Sequence, residues 1–371
     1  MENTDSFEIF LVASPGQEAV LCAEAQEMGF DTPVVTPGGV TIQGDWSEVW
    51  RANLQLRGAG RVLARIGSFR VFHLAQLDKR SRKFPWAQTL RPDVAVKVEV
   101  TCRKSKIYHA KAASQRIEKA LTEELGVILS TEAEVVLKAR IEDDLCTFSV
   151  DTSGDSLHKR GHKEAVGKAP MRETLAALFL RDCGYDGTQT VVDPMCGSGT
   201  FVIEAAEWAA GLYPGRARNF AFEKLASFDA KKWATLKAGV SIRQPDQKFY
   251  GYDRNQGVIG MASANAERAG VGDATVYNTQ PISDLKRPEG PPGLIMVNPP
   301  YGARIGNRKL LFGLYGTFGQ RVLAEFSGWK VGMITSDAGL AKSTGLPFLP
   351  LGPSIPHGGL KVNLFKTARL P

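Results

Sequence analysis

The residues with the clearest chemical potential stand at the ends of three apolar stretches. The first is Val191-Val192-Asp193, followed by Pro194-Met195-Cys196-Gly197-Ser198-Gly199-Thr200-Phe201. An apolar strand ending in an acid, then a glycine-bearing turn and an apolar helix, forms a ligand cradle, because doubly wound folds bind ligands outside the carboxyl ends of their strands. Gly197 and Gly199 accept positive φ and let a bound group approach the backbone. The turn has neither the lysine of a P-loop nor the third glycine of G-x-G-x-x-G, which disfavours a nucleoside triphosphate. The second stretch is Phe249-Tyr250-Gly251-Tyr252-Asp253. Its terminal acid suits both ribose hydroxyls of an adenosine cofactor. Nicotinamide enzymes use the same logic, so these two motifs do not choose the cofactor. Asp253 is also placed to N-cap a helix expected over 257–269.

The third stretch chooses. Gly293-Leu294-Ile295-Met296-Val297 runs into Asn298-Pro299-Pro300-Tyr301-Gly302. Two prolines remove backbone donors, so carbonyls dominate the local polar surface. The Asn298 amide oxygen and the Pro299 carbonyl are suited to accept from one planar –NH₂ group. Holding an amine in this way aims its lone pair at a methyl donor, and Tyr301 offers a ring to a flat base. The competing reading is an ordinary strand-ending Asn-Pro turn. Cys196 invites a role as nucleophile toward a pyrimidine carbon, but no Pro-Cys pair accompanies Asn298, and Cys196 reads as a small turn residue. The five histidines have no metal-ligand spacing, so no metal is expected.

These motifs need elements to hold them. From Thr190 onward, strand, glycine turn and helix repeat, which predicts a doubly wound parallel sheet. Ala274 to Asn278 is the third strand, and Gly359 to Thr367 alternates as a last strand. Upstream, 7–12, 16–28, 33–36, 40–43, 46–56 and 61–69 read β-α-β-β-α-β, a ferredoxin-like order. Asp45 and Glu48 are spaced as a capping box. A second α/β stretch follows, with strands at 94–101, 135–141 and 146–151 and a helix over 111–125. Ser153 to Ala169 reads as a polar linker, and Pro170 as the start of a helix over 171–182.

The net charge of +7 is unevenly spread. Residues 1–50 hold nine acids and no Lys or Arg, whereas 51–119 hold seventeen basic residues and four acids. A basic block between acidic ones is a candidate polyanion footprint or simply a solvated surface. No apolar run is long enough to cross a membrane, the first residues carry no secretory pattern, and five scattered cysteines suit a reducing cytoplasm.

The Gly-x-Gly turn followed by Asn-Pro-Pro-Tyr resembles the amino-methyltransferases among class I S-adenosylmethionine enzymes. The fuller forms, Asp193 to Thr200 and Asn298 to Gly302, are similar to the THUMP-domain RNA guanine-N2 methyltransferases, and especially to those acting on bacterial 23S rRNA. Lys104-Ser105-Lys106-Ile107-Tyr108-His109 looks like the THUMP strand-to-helix signature. Ser156 to Gly161 and Ala169 to Ala177 resemble the family's linker and lead-in helix.

The resemblance implies a ferredoxin-like domain (1–72), a THUMP RNA-binding domain (73–155), and a linker, lead-in helix and Rossmann-like methyltransferase domain (156–371). It implies S-adenosyl-L-methionine as cofactor, held by Asp193, Pro194, Cys196, Gly197, Ser198, Gly199, Thr200, Asp253, Arg254, Gln280 and Asn298. Gln280 stands where many relatives carry an acid toward adenine, and His162 stands where an aromatic often follows the linker. Asn298, Pro299, Pro300 and Tyr301 form the catalytic group. Arg103, Lys104, Lys106, His109, Lys159 and Arg160 are the expected RNA contacts, with Lys163 as a further linker cation. The expected activity is methylation of guanosine N2 in 23S rRNA, without membrane or metal. The rivals are a tRNA guanine-N2 enzyme of the same architecture and a catalytically idle RNA-binding assembly factor.

Overall fold

The computed structural model describes residues 6–164, 171–302 and 308–371. In chain order the first elements are β1 (Phe7–Val12), α1 (Glu18–Glu27), β2 (Asp31–Thr36), β3 (Gly39–Gly44), α2 (Trp46–Gln55), β4 (Arg61–Arg70) and α3 (Leu74–Arg82). Then come β5 (Val96–Arg103), α4 (Ala110–Leu125), β6 (Val135–Glu142) and β7 (Leu145–Asp151). The remainder is α5 (Glu173–Asp182), β8 (Val191–Asp193), α6 (Thr200–Ala209), α7 (Ala230–Ala238), β9 (Phe249–Asp253), α8 (Gln256–Arg268), β10 (Thr275–Thr279), β11 (Leu294–Val297), α9 (Arg308–Glu325), β12 (Lys330–Thr335), α10 (Ala338–Ser343), β13 (Ile355–His357) and β14 (Leu360–Lys366). Pro170, expected to open α5, lies outside the described residues.

By its internal contacts the chain falls into two compact units. One comprises residues through Ala13, 22–157 and 218–239, and the other 14–21, 158–217 and 240–371. The first unit is built on a seven-stranded sheet of order β2-β3-β1-β4-β7-β6-β5. Its first four strands have the ferredoxin-like arrangement. The antiparallel pairing of β4 with β7 carries the sheet onward into the later strands. Alternation fixes which face is buried: Val135, Leu137, Ala139 and Ile141 of β6 are all inside. Phe69, Phe84, Trp86 and Phe148 pack as a cluster of rings 4.5–6.5 Å apart. Asp45 caps α2 by accepting from the Ser47 and Glu48 N–H groups. Glu48 does not complete a capping box, because its carboxylate turns to the guanidinium of Arg51.

Residues 218–239 join this first unit through aromatic packing. Phe222 lies against Trp50 of α2 at 6.1 Å between ring centroids, and Trp233 meets Phe222 and Phe220 edge-on at 5.0 and 5.8 Å. Arg218 donates to the carbonyls of Ser153, Asp155 and Ser156. Nothing local in the sequence marks this attachment.

The second unit holds a seven-stranded sheet of order β10-β9-β8-β11-β12-β14-β13, parallel through β12 and antiparallel at β14. This is the Rossmann-like domain, and the order reverses between β8 and β11. β11 is buried along its whole length, as a central parallel strand covered on both faces must be. Two apolar cores lie on the faces of the sheet, and Tyr301 packs against both.

Replacing Trp233 by Ala removes the ring that fixes 218–239, at a cost of ~3–5 kcal/mol for a core aromatic. Hydrogen exchange should show amides of 218–239 and α2 losing protection while β8 to β12 keep theirs. Uniform loss across both units would refute this local role.

Candidate active site

The turn after β8 is stitched to the end of β9. The Cys196 N–H donates to the Tyr252 carbonyl at 2.8 Å, and the Gly197 N–H donates to Asp253 Oδ2 at 3.3 Å. Asp253 Oδ1 accepts from the Asn255 N–H at 3.0 Å. Asn255, not Asp253, caps α8, its side chain accepting from the Gly257 N–H at 2.9 Å. The Gln280 N–H donates to the Asp253 carbonyl at 3.0 Å, which brings half-buried Gln280 to the same sheet edge. Arg254 is exposed beside it.

Both glycines of the turn are conformationally required. Gly197 and Gly199 have φ of +51° and +84°. A Cβ on Gly199 would also lie 2.9 Å from the Tyr277 hydroxyl. Gly199 is the N-cap of α6 and supplies no side-chain cap, so the first N–H groups of that helix lack a side-chain acceptor. Asp193 is 2 % exposed, and its Oδ1 accepts from the Met195 N–H at 3.1 Å. Burial, reinforced by nearby Asp253, raises its carboxyl well above the usual range. The Cys196 thiol is likewise pushed well up by burial and by the two acids, so it stays protonated and unsuited to nucleophilic attack.

β11 runs parallel to β8, with Leu294 opposite Val191 and Ile295 opposite Val192. Asn298 therefore emerges at the sheet edge that carries Asp193 and the glycine turn. Its Oδ1 is shielded from solvent and has no hydrogen-bond partner among the described residues. An orphaned carbonyl oxygen of this kind costs ~1–3 kcal/mol and stands ready for an incoming donor. The next loop residues are fixed from behind: Tyr315 Oη donates to the Pro300 carbonyl at 3.2 Å and lies 3.3 Å from Thr335 Oγ1. Pro299 is buried. Tyr301 is half-buried, and burial lifts its hydroxyl to about 12, so the phenol is neutral.

One expected RNA contact is corrected. Arg160 is 2 % exposed, and its Nε donates to Glu204 Oε1 of α6 at 3.0 Å. A guanidinium enclosed with a carboxylate cannot reach a phosphate. Lys163 is also drawn inward, with Nζ 2.9 Å from Glu173 Oε1 and donating to Thr200 Oγ1 at 2.8 Å. Lys159 remains exposed. The signal available in the sequence was α6 itself, where Glu204 and Glu207 interrupt an apolar helix and must find cations. Asn265, which no motif singled out, donates from Nδ2 to the Ser198 carbonyl at 3.2 Å and braces the turn from α8.

The first unit carries the other expected contacts on one loop. Arg103 ends β5 and lies 3.6 Å from Glu142. Lys104 has φ of +46°. The Lys106 N–H donates to Asp144 Oδ1 at 2.8 Å, and the Asp144 N–H donates to Ser105 Oγ at 3.0 Å, which clamps the loop to the β6–β7 turn. Lys104, Lys106 and His109 are exposed, and His109 precedes α4 without a side-chain cap bond. Among the described residues no group of His, Cys, Asp and Glu is arranged for a metal ion, and no helix is long and apolar enough to cross a membrane.

Substituting Glu204 by Ala leaves the Arg160 guanidinium buried without its carboxylate, and breaking such a pair costs ~3–5 kcal/mol. A fall in the denaturation midpoint of matching size is expected. An unchanged midpoint would mean that the pair contributes nothing to the unit.

Comparison with known proteins places this geometry in a family. Residues 160–346 match the RMKL-like methyltransferase domain, and residues 8–63 match the RlmL ferredoxin-like domain. The ribosomal RNA large subunit methyltransferase K/L of Psychromonas ingrahamii is 31 % identical over 352 residues, which cover 91 % of this chain and 47 % of that protein. The chain thus spans about half the length of the curated relatives it matches. Among solved structures, a possible methylase from Clostridium difficile is 29 % identical with a TM-score of 0.87, and 99 % of each chain is covered. A putative methyltransferase crystallised with SAH is 25 % identical with a TM-score of 0.86 and the same coverage of both chains. With the family match spanning half of its residues, the chain belongs to the RMKL-like methyltransferases.

Proposed function

We propose that this chain is an S-adenosyl-L-methionine-dependent RNA methyltransferase that acts on the exocyclic N2 of a guanosine, with 23S rRNA as the leading substrate. The observation that carries the reading is the unpartnered Oδ1 of Asn298, buried at the strand end beside the glycine turn. The cradle fits an adenosyl cofactor: positive-φ glycines, N–H groups at the start of α6 without a side-chain cap, and the acids Asp193 and Asp253 stand at one sheet edge. Asp193, Pro194, Cys196, Gly197, Ser198, Gly199, Thr200, Asp253, Arg254 and Gln280 are its proposed holders.

The cofactor supplies an electrophilic methyl group on a sulfonium. Asn298 Oδ1 accepts a hydrogen bond from the target amine and fixes the direction of its lone pair. The Pro299 carbonyl is the second acceptor, and neither proline brings a competing N–H donor. These oxygens ease the positive charge that develops on nitrogen. The proton released from that nitrogen passes to water, so no strong base is needed, and the exposed part of Tyr301 is the proposed seat for the flipped base. RNA is held by residues 73–155, read as a THUMP domain, through Arg103, Lys104, Lys106 and His109, with Lys159 as a further contact.

Asn298→Ala should lower single-turnover methylation by ~10²–10³ with cofactor affinity little changed, since Asn298 faces the acceptor side of the pocket. Asn298→Asp keeps an acceptor and should retain partial activity. Nucleoside mass spectrometry of the product should show N2-methylguanosine in rRNA. Modified tRNA would redirect the substrate, N6-methyladenosine would overturn the guanine assignment, and wild-type turnover in the Ala variant would remove Asn298 from the reaction.

Asp193 gives a pH signature. Its carboxyl is raised by burial, so ionisation is the unfavourable state in the free protein, and a cationic ligand favours the ionised form. Affinity for S-adenosylmethionine should therefore rise with pH until Asp193 is ionised unaided, with proton release on binding below that point. Calorimetry in buffers of different ionisation heat measures the release. Asp193→Asn should abolish it, and an undiminished release would assign the proton elsewhere.

A further inference from the structure

The loop joining β5 to α4 carries more than cations. Tyr108 is 72 % exposed, and no large apolar side chain among the described residues is more so. Its ring centroid lies 4.2 Å from that of His109, tilted by 42°. Ile107, buried at 4 %, anchors the segment, and its neighbours Lys106 and Tyr108 are both exposed. Phe72 is 41 % exposed, and Lys106 Nζ sits 4.8 Å from its ring centroid. Acids are present too: Asp144 holds the Lys106 N–H and Glu142 pairs with Arg140 and Arg103, while Asp143 is exposed in the same turn. An open aromatic ring on a loop that also carries exposed Lys104 and Lys106 matches a flat base joined to a phosphate.

We propose that Tyr108 is a stacking platform for an unpaired nucleobase, with Lys104 and Lys106 on the adjoining phosphates and Phe72 fixing the Lys106 side chain. The site rests on the RNA reading above and narrows it, because only an unpaired nucleotide offers a free face to the ring. Bases inside a helix are already stacked on their neighbours. The platform is independent of sequence, since every base has a π-face. It is therefore an anchoring site, separate from the amine pocket at Asn298. A protein segment would need an acidic or apolar complement and gains nothing from the spacing of ring and cations.

The test uses the full chain and one RNA oligonucleotide carrying 2-aminopurine, presented either single-stranded or fully paired. Tyr108 is exposed, so its variants should fold with unchanged melting temperature. Tyr108→Ala should weaken single-strand binding about tenfold, abolish the 2-aminopurine quenching and leave duplex binding unchanged. Tyr108→Phe should restore both signals. The double variant Lys104→Glu/Lys106→Glu should weaken both RNAs and flatten the salt dependence. If Tyr108→Ala binds the single strand like wild type while the lysine reversals weaken it, stacking is overturned and the RNA surface stands. If neither change affects binding while methylation persists, this face does not contact RNA and both statements about it fall. Equal loss on single strand and duplex would also overturn the stacking assignment.

Discussion

The chain leaving β8 must turn within a few residues over the end of β9, and the catalytic unit is organised around that constraint. Two backbone donors hold the turn, Cys196 N–H on the Tyr252 carbonyl and Gly197 N–H on the Asp253 carboxylate. Each demands something of the sequence. Gly197 and Gly199 must adopt positive φ. Gly251 must lack a side chain, since a Cβ there would stand 2.5 Å from the Tyr277 ring and 3.1 Å from Cys196 Sγ. Asp253 spends its carboxylate on backbone N–H groups of both loops, which fixes its orientation before any ligand arrives.

A second layer of polar contacts stands behind the turn. Lys163 reaches Thr200, Asn265 reaches the Ser198 carbonyl, and the Arg268 Nε donates to the His162 carbonyl at 2.9 Å. The described part of the linker, through residue 164, is thus part of the support for the glycine turn. Its cations neutralise acids of an apolar helix, where an unpaired carboxylate would be costly. His158 fits the same crowded setting, since burial and the cations around it push its imidazole down to about 4 and leave it neutral near pH 7.

Much of this was legible in the sequence where a local rule governs. Apolar runs ending in Asp193, Asp253 and Asn298 identify strands and one sheet edge, because period and turn residues suffice. The early β-α-β-β-α-β order was readable for the same reason. Helix α3 was not, since Leu74 to Arg82 is strongly polar and buries only Leu77 and Ser81. The attachment of 218–239 depends on aromatic contacts between residues far apart in sequence, which no window can show. Arg160 looked like a phosphate ligand because a basic, glycine-containing stretch has the composition of a surface. Its partner Glu204 lies 44 residues away. Asp253 and Asn255 compete for the cap of α8, and only the bond to the Gly257 N–H separates them.

The pairing of β4 with β7 has a consequence for how the protein is made. Leu63 lies opposite Asp151, so one edge of β4 stays unsatisfied until the chain has grown well beyond the ferredoxin-like strands. The aromatic cover from Phe222 and Trp233 arrives later still, after β8 and α6 have emerged. During synthesis on the ribosome the two units therefore mature in overlapping intervals, and the second is already under way before the first is complete. A nascent chain paused before residue 239 would carry an incomplete first unit beside the opening elements of the second. The open edge of β4 lasts until β7 has been made, whereas Trp50 of α2 waits for Phe222 to cover it.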